Sequence, residues 1–221
     1  MSNKKSKFEI ITKFDFPKFK EVKKSFVNLN VKKIFSLLIH NPDFEKKINN
    51  FDFFLKKFHE YKKKIKFFGV SLNKPEEYFY YKNKKLFKVF QVPYNILDRR
   101  WDKIIKKDNI CIHARSIFLQ GLLITDAKNY PKKLIPELKI IKKKLNYLVK
   151  KYNRYDLKDL LFSYVKSNLK IDKLIIGIEN VDQIRELPFY FLRSDLKKRD
   201  IIDINKVISG TSNNLINPSS W

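Results

Sequence analysis

The chain has 221 residues, 43% of them hydrophobic, which is enough for one large or two small domains that bury a core. Forty-nine Lys plus Arg against 23 Asp plus Glu give a formal net charge of +26, a balance that raises nucleic acid or an anionic membrane surface as a partner. Only seven of the cations are Arg (99, 100, 115, 154, 185, 193 and 199), and the chain is rich in Asn, Ile, Phe and Tyr with four Gly. That is the composition of an A/T-biased genome, so the charge is read as solvated faces and no specific nucleic-acid partner is expected. The single cysteine, Cys111, excludes an internal disulfide and a cysteine-only metal site. Lying in an apolar strand run, it reads as a small buried side chain in a reducing compartment. The N-terminal MSNKKSKFEII has no long apolar region, and no window approaches the ~20 apolar residues of a membrane helix. The expectation is a soluble cytoplasmic protein with no membrane partner.

In chain order, Phe8–Lys13 is a first β-rich run, ended by Asp15 and Pro17. Lys20–Leu29 is amphipathic, with Val22, Phe26 and Leu29 on one face. Ile34–His40 is the second strand-like run, closed by Asn41-Pro42. From Ile48 to Lys63, Phe51, Phe54, Leu55 and Phe58 recur at helical spacing, and His59 among lysines reads as a surface residue. Ile65–Val70 is the third strand, followed by a loop, Pro75 and two acids that open a helix.

Val89–Pro93 is a short apolar run bounded by Tyr94-Asn95, a buried strand. Leu97, Trp101, Ile104 and Ile105 then predict a helix over 97–107, and Ile110–Ala114 a fifth strand. Strand, helix, strand at this distance is a βαβ unit with parallel strands. Leu134–Tyr152 carries an apolar stripe of Leu138, Ile141, Leu145 and Leu148, and Leu157–Leu169 is a further helix. Lys173–Ile178 is the sixth strand, Asn180 to Ile184 begins another helix, and Ser209–Trp221 reads as polar loop.

Most of the six strand runs lie roughly 22 to 30 residues apart, the spacing of βα units in a parallel sheet. No linker or charge run divides the chain, so residues 1–221 are expected to form a single domain. Gly69, Gly121 and Gly177 lie in or just after strands, where a missing side chain lets backbone or ligand come close. In parallel α/β folds ligands bind beyond the carboxyl ends of the strands. Those ends carry Thr12 and Lys13, His40 and Asn41, Ser71 and Asn73, Gln91 with Tyr94 and Asn95, Arg115 with Ser116 and Gln120, and Glu179 with Asn180. Lys13 and His40 stand out, since a cation at such a mouth is costly unless paired or employed. The chain has no Gly-rich phosphate loop, HExxH or GxSxG.

The segments IITK, LLIHNP, FFGVSLNKPEE, FQVPYNILDRRW, IHARSIFLQGLL and IIGIENVDQIREL, in this order, with the closing NPSSW, resemble the strand-end motifs of the aldo/keto reductases from Phe8 to Trp221. The resemblance implies a (β/α)8 barrel that binds NADPH without a Rossmann domain and reduces an aldehyde or ketone. It is greatest to bacterial members, some of which accompany cell-surface sugar biosynthesis, which implies a small, sugar-derived carbonyl substrate. By the same resemblance Lys13 and His40 are the catalytic lysine and histidine. Ser71 and Gln91 hold the nicotinamide carboxamide, and Arg115, Ser116, Gln120 and Gly121 form a diphosphate segment. Gly177 is a further cofactor-binding position, and Asn180 and Gln183 belong to the Ile178–Gln183 segment that matches the one around the adenosine 2′-phosphate, where Glu179 stands in place of the basic residue of many members.

The family's catalytic aspartate and tyrosine lie on and just after its second strand, and the first strand here matches its third. The expected fold class is therefore α/β, a partial TIM-type barrel with about six of the eight parallel βα units. The expected protein is an NADPH-dependent oxidoreductase whose turnover is weak or absent in the isolated chain. Its open strand edges are expected to be closed by a homo-oligomer or a missing N-terminal segment. The alternative is a non-catalytic, barrel-derived binding or oligomerisation module.

Overall fold

The computed structural model describes residues 8–40, 51–105 and 109–221. Asn41-Pro42, the helix start at 48–50 and Lys107 lie outside the described residues. The chain divides into two units. One takes in the described residues up to Val92 and the segment ending at Ile112; the other takes in the chain from Pro93 to the turns before that segment, and His113–Trp221.

In the first unit the expected strands and helices follow one another as β1 (Ile11–Phe14), α1 (Phe19–Asn28), β2 (Ile34–Ile39), α2 (Phe51–Tyr61), β3 (Ile65–Ser71), α3 (Pro75–Lys82) and β4 (Phe87–Pro93). The four strands pair in parallel in chain order. Their alternation is suppressed because both faces are covered: Leu37, Leu38, Ile39, Val70, Phe90 and Val92 are all buried. On α1 the stripe is graded: Val22 is buried, Phe26 stacks on Tyr61 at 6.3 Å, and Leu29 is exposed. Pro75 opens α3 as expected, and the Glu77 carboxylate accepts from the backbone N–H groups of Asn73 (2.7 Å) and Lys74 (3.0 Å), satisfying donors that a helix start leaves free. His59 is exposed, and Cys111 is half-buried rather than buried.

Gly69 sets the approach of β3 to its neighbours. A Cβ there would lie 2.2 Å from the Val89 carbonyl oxygen and 2.5 Å from Leu38 Cδ2. The β3–β4 register shifts between Phe68 and Gly69, and beyond the shift Val70 pairs with Phe90 and Ser71 with Gln91.

The second unit holds the His113–Arg115 end of β5 (Cys111–Arg115), α4 (Ile135–Lys151), α5 (Leu157–Lys166), β6 (Lys173–Leu174), α6 (Val181–Leu192), α7 (Lys198–Val207) and α8 (Asn213–Ile216). The four stripe residues of α4 are all buried. Three sequence expectations are corrected. Residues 97–105 are turns, not a helix, although Leu97, Trp101 and Ile105 are buried as their spacing implied. The Asn95 side-chain oxygen accepts from the N–H of Leu97 and of Asp98, both at 2.9 Å, and Asp98 holds Arg100 through two contacts of 2.8 Å. The backbone closes local turns, with the Asn95 N–H donating to the Asp98 carbonyl at 3.2 Å and the Asp102 N–H to the Arg99 carbonyl at 3.1 Å.

The sixth strand is confined to Lys173–Leu174, with one further bond from the Ile175 N–H to the Ala114 carbonyl. Its partner strand ends at Arg115, because Ser116 turns to a φ of 59°. Residues 198–207, to which the sequence reading gives no element of their own, form α7 around buried Ile204. The tail is not plain loop: Ser212 caps α8, is held by Glu137 through bonds of 2.8 and 2.6 Å, and Leu215 is buried. No helix among the described residues is long and apolar enough to cross a membrane.

Asp159 anchors this unit. It is fully buried, accepts from the Tyr155 N–H (2.9 Å), the Ser163 hydroxyl (3.0 Å) and Arg193 Nε (3.0 Å), and lies 3.5 Å from Arg154. Burial pushes its carboxyl up, but these donors and the arginine charge overcome it and hold the group below the ordinary carboxylate range. The depressed carboxyl contributes stability that is present above its unfolded value, near pH 4, and is lost as pH falls through the folded value. Asp159→Ala leaves Arg154 buried without this partner. Urea titrations at pH 7 are expected to show a loss of about 3–5 kcal/mol, and the variant's stability is expected to fall less than that of the unaltered chain below about pH 4.

Candidate functional site

The carboxyl ends of β1, β3 and β4 bring three sequence-predicted residues together in the first unit. Lys13 Nζ donates to Ser71 Oγ at 3.2 Å, from β1 to β3 across β2, and Ser71 lies beside Gln91 in the β3–β4 register. Ser71 and Gln91 are buried, Gln91 only 2% exposed, and the Gln91 side-chain oxygen has no hydrogen-bond partner among the described residues. Such an oxygen costs about 1–3 kcal/mol unless something satisfies it. His40, at the end of β2, is not enclosed: it is exposed, with Nδ1 3.3 Å from an Asp15 oxygen. Asp15 is itself placed by the turn after β1, its N–H donating to Glu21 at 3.0 Å. The chain therefore gives His40 a carboxylate that sequence reasoning read only as a strand end. Its place two residues after Lys13 was the available signal.

In the second unit the loop after β5 is bent by four left-handed residues, Ser116, Leu119, Gln120 and Gly121, with φ of 59°, 50°, 52° and 85°. Only Gly121 has no Cβ to strain in this conformation. Asn95, fully buried, ties the loop down by donating its side-chain amide to the Ser116 carbonyl at 3.0 Å, and the Tyr94 N–H donates to the Arg115 carbonyl at 3.0 Å. Beside this loop is a cavity of about 840 Å³. Ser116, Gln120, Gly121, Gly177 and Gln183 line it, whereas Arg115 and Asn180 do not. Arg115 donates to Ser116 Oγ at 3.3 Å, and Asn180 caps α6, accepting the Gln183 N–H at 3.0 Å. Gln183 in turn accepts the Glu179 N–H at 2.8 Å.

A sequence model described as the Aldo/keto reductase family matches residues 19–209. The chain belongs to the aldo/keto reductase family. Comparison with curated protein sequences gives no match. Among solved structures, the holo form of aldo-keto reductase AKR11C1 from Bacillus halodurans is similar at 21% identity with a TM-score of 0.73, over 93% of this chain and 74% of that one. The glycerol dehydrogenase AKR11B4 from Gluconobacter oxydans is similar at 21% identity with a TM-score of 0.69, over 86% of this chain. This chain spans 63% of the length of that dehydrogenase. The fold class is accordingly α/β of the TIM-barrel kind, in partial form with six parallel strands.

Within this aldo/keto reductase chain, His40, Ser71, Gln91 and the residues from Arg115 to Gln183 fall inside the matched region, while Lys13 precedes it. Sequence reasoning missed Lys158, Glu186 and Trp221, all lining the cavity. They lie on or beyond helices rather than at strand ends, and only tertiary folding brings them to the loop. It also missed the buried cluster in which the Tyr94 hydroxyl donates to Asp102 at 2.7 Å and accepts from Asn168 at 2.8 Å. Burial, then the neighbouring Tyr164 and Asp102, raise the Tyr94 phenol far above its usual value. Burial likewise pushes Tyr164 up to about 12, and Tyr61, Tyr130, Tyr152 and Tyr190 also move up for the same first cause. Among the described residues, no group of three His, Cys, Asp or Glu is placed to hold a metal ion.

Asn95→Ala removes the acceptor for two backbone donors and the tie to Ser116. Chemical denaturation is expected to show a loss of about 2–3 kcal/mol, with faster amide exchange at Leu97 and Asp98 than elsewhere in the unit.

Proposed function

We propose that the chain binds a nicotinamide dinucleotide and serves hydride transfer to an aldehyde or ketone, with turnover weak in the isolated chain. The observation that carries this reading is the buried side-chain oxygen of Gln91 beside Ser71, without a partner among the described residues, within a family that generally uses NAD(P)H. A carboxamide N–H is the donor such an oxygen lacks. When bound, the reduced cofactor supplies the hydride. Ser71 and Gln91 would hold the carboxamide, Lys13 donates to Ser71, and His40, beside Asp15, would orient the carbonyl oxygen.

The loop from Ser116 to Gly121 and the cavity beside it take the diphosphate and adenosine. Sequence reading makes that cofactor NADPH and the substrate a small, sugar-derived carbonyl. Weak turnover follows from the proton donor. The family's tyrosine belongs to a segment that no stretch of this sequence resembles, and the phenols displaced here all move upward, away from a tuned acid.

A second reading, a non-catalytic binding or oligomerisation module, is favoured by the exposed apolar side chains of α6, with Val181 61%, Ile184 54% and Phe191 62% exposed. Its signature is a folded dimer in sedimentation that ignores both dinucleotides.

Calorimetric titration with NADH and NADPH tests the main reading, and binding of at least one is expected. Gln91→Met removes the unpartnered oxygen while keeping the volume. It is expected to leave thermal stability equal or higher and to weaken dinucleotide binding about tenfold. A folded protein that binds neither dinucleotide overturns the reading.

A further inference from the structure

The cavity of the second unit carries a charge opposite to that of the chain. Against a net charge of +26, its lining holds two carboxylates, Glu179 and Glu186, and one cation, Lys158. That cation is already committed, with Nζ 2.7 Å from a Glu186 oxygen. Asp182 adds a further acid in the first turn of α6, and Arg185, one turn on, is spent on it at 3.0 Å. Arg115 does not line the cavity and donates to Ser116. The oxygens of Asn180 and Gln183 are occupied in capping α6. Among the described residues, the lining carboxylate at this helix start without a basic partner is therefore that of the exposed Glu179, an acceptor with no donor to offer.

A phosphate dianion placed here meets like charge, and the one cation of the lining, Lys158, is paired with Glu186. A sugar hydroxyl meets an ionised acceptor, to which its O–H donates a short, strong bond. Carboxylate against hydroxyl and cation against phosphate are the two ways in which a site tells the two nicotinamide dinucleotides apart.

We infer that this cavity takes an adenosine ribose with a free 2′-hydroxyl, with Glu179 as the residue that selects it, so that the chain prefers NADH to NADPH. This rests on the dinucleotide reading above and replaces the NADPH expected from sequence. The discrimination is electrostatic at an exposed carboxylate, so it shrinks as salt shortens the screening length from about 10 Å at 0.1 M to about 3 Å at 1 M.

Trp221 lines the same cavity and the other tryptophan, Trp101, is fully buried, so quenching of Trp221 emission reports binding without any need for turnover. In titrations at low salt NADH is expected to bind about tenfold more tightly than NADPH, and adenosine 5′-monophosphate to compete better than adenosine 2′,5′-bisphosphate. Glu179→Arg, a change at an exposed position whose folding circular dichroism can verify, is expected to remove or reverse both preferences, and Glu179→Gln to reduce them. NADPH binding as tightly as NADH to the unaltered chain, or an unchanged ratio in Glu179→Arg, overturns the inference and leaves the dinucleotide reading standing. Binding of neither dinucleotide overturns that reading and the inference with it.

Discussion

Between Leu38 and Val89 the third strand has room for a hydrogen atom and nothing larger. A side chain at position 69 would press into the Val89 carbonyl at 2.2 Å, backbone that has no rotamer to escape into. Because Gly69 lets the strands close, the register beyond it sets Ser71 against Gln91, and Lys13 can reach Ser71 from β1. The polar end of the first unit thus depends on a residue that contributes no functional group. Gln91 shows the consequence: packed into a covered sheet, it keeps a side-chain oxygen that no described residue answers.

The second unit is organised by buried polar side chains that consume backbone donors and acceptors. Asn95 satisfies two N–H groups with one oxygen and pins the Ser116 loop with its amide. Asp159 gathers two arginines, a hydroxyl and a backbone N–H at a fully buried position. Networks of this kind are expensive when incomplete and specify one arrangement when complete. Here they hold the left-handed loop, through Asn95, and the end of α6, through Arg193. Net charge is a poor guide to such a place: the lysines lie on solvated faces, while the cavity wall is formed by a neutralised lysine and an acid left over.

The legible parts of the sequence were those where one pattern dominates. The apolar runs of β2, β3 and β4, the stripe of α4, and the Pro-and-acid start of α3 each follow from local composition, and the structure has them within a residue or two. The stretch 97–105 failed instructively, because Leu97, Trp101 and Ile105 are buried as a helical spacing implies while the backbone turns. Periodicity reports which residues are covered, not the path the backbone takes to cover them. The short β6 failed for a different reason, since its apolar run continues to Ile178 but its partner strand has already turned away at Ser116.

The sequence by itself determined the family, the parallel βα order and the strand-end positions at which Lys13, His40, Ser71, Gln91 and the Ser116–Gly121 loop stand. Strand runs and end motifs are local, and local chemistry can be read one residue at a time. Tertiary structure alone decided which of these side chains meet: Lys13 with Ser71, His40 with Asp15, and Gln183 turned to cap its own helix. It also brought Lys158, Glu186 and Trp221 to the cavity. A hydrogen bond or ion pair depends on distances of a few ångströms between residues far apart in the chain, and only the packed backbone sets those distances.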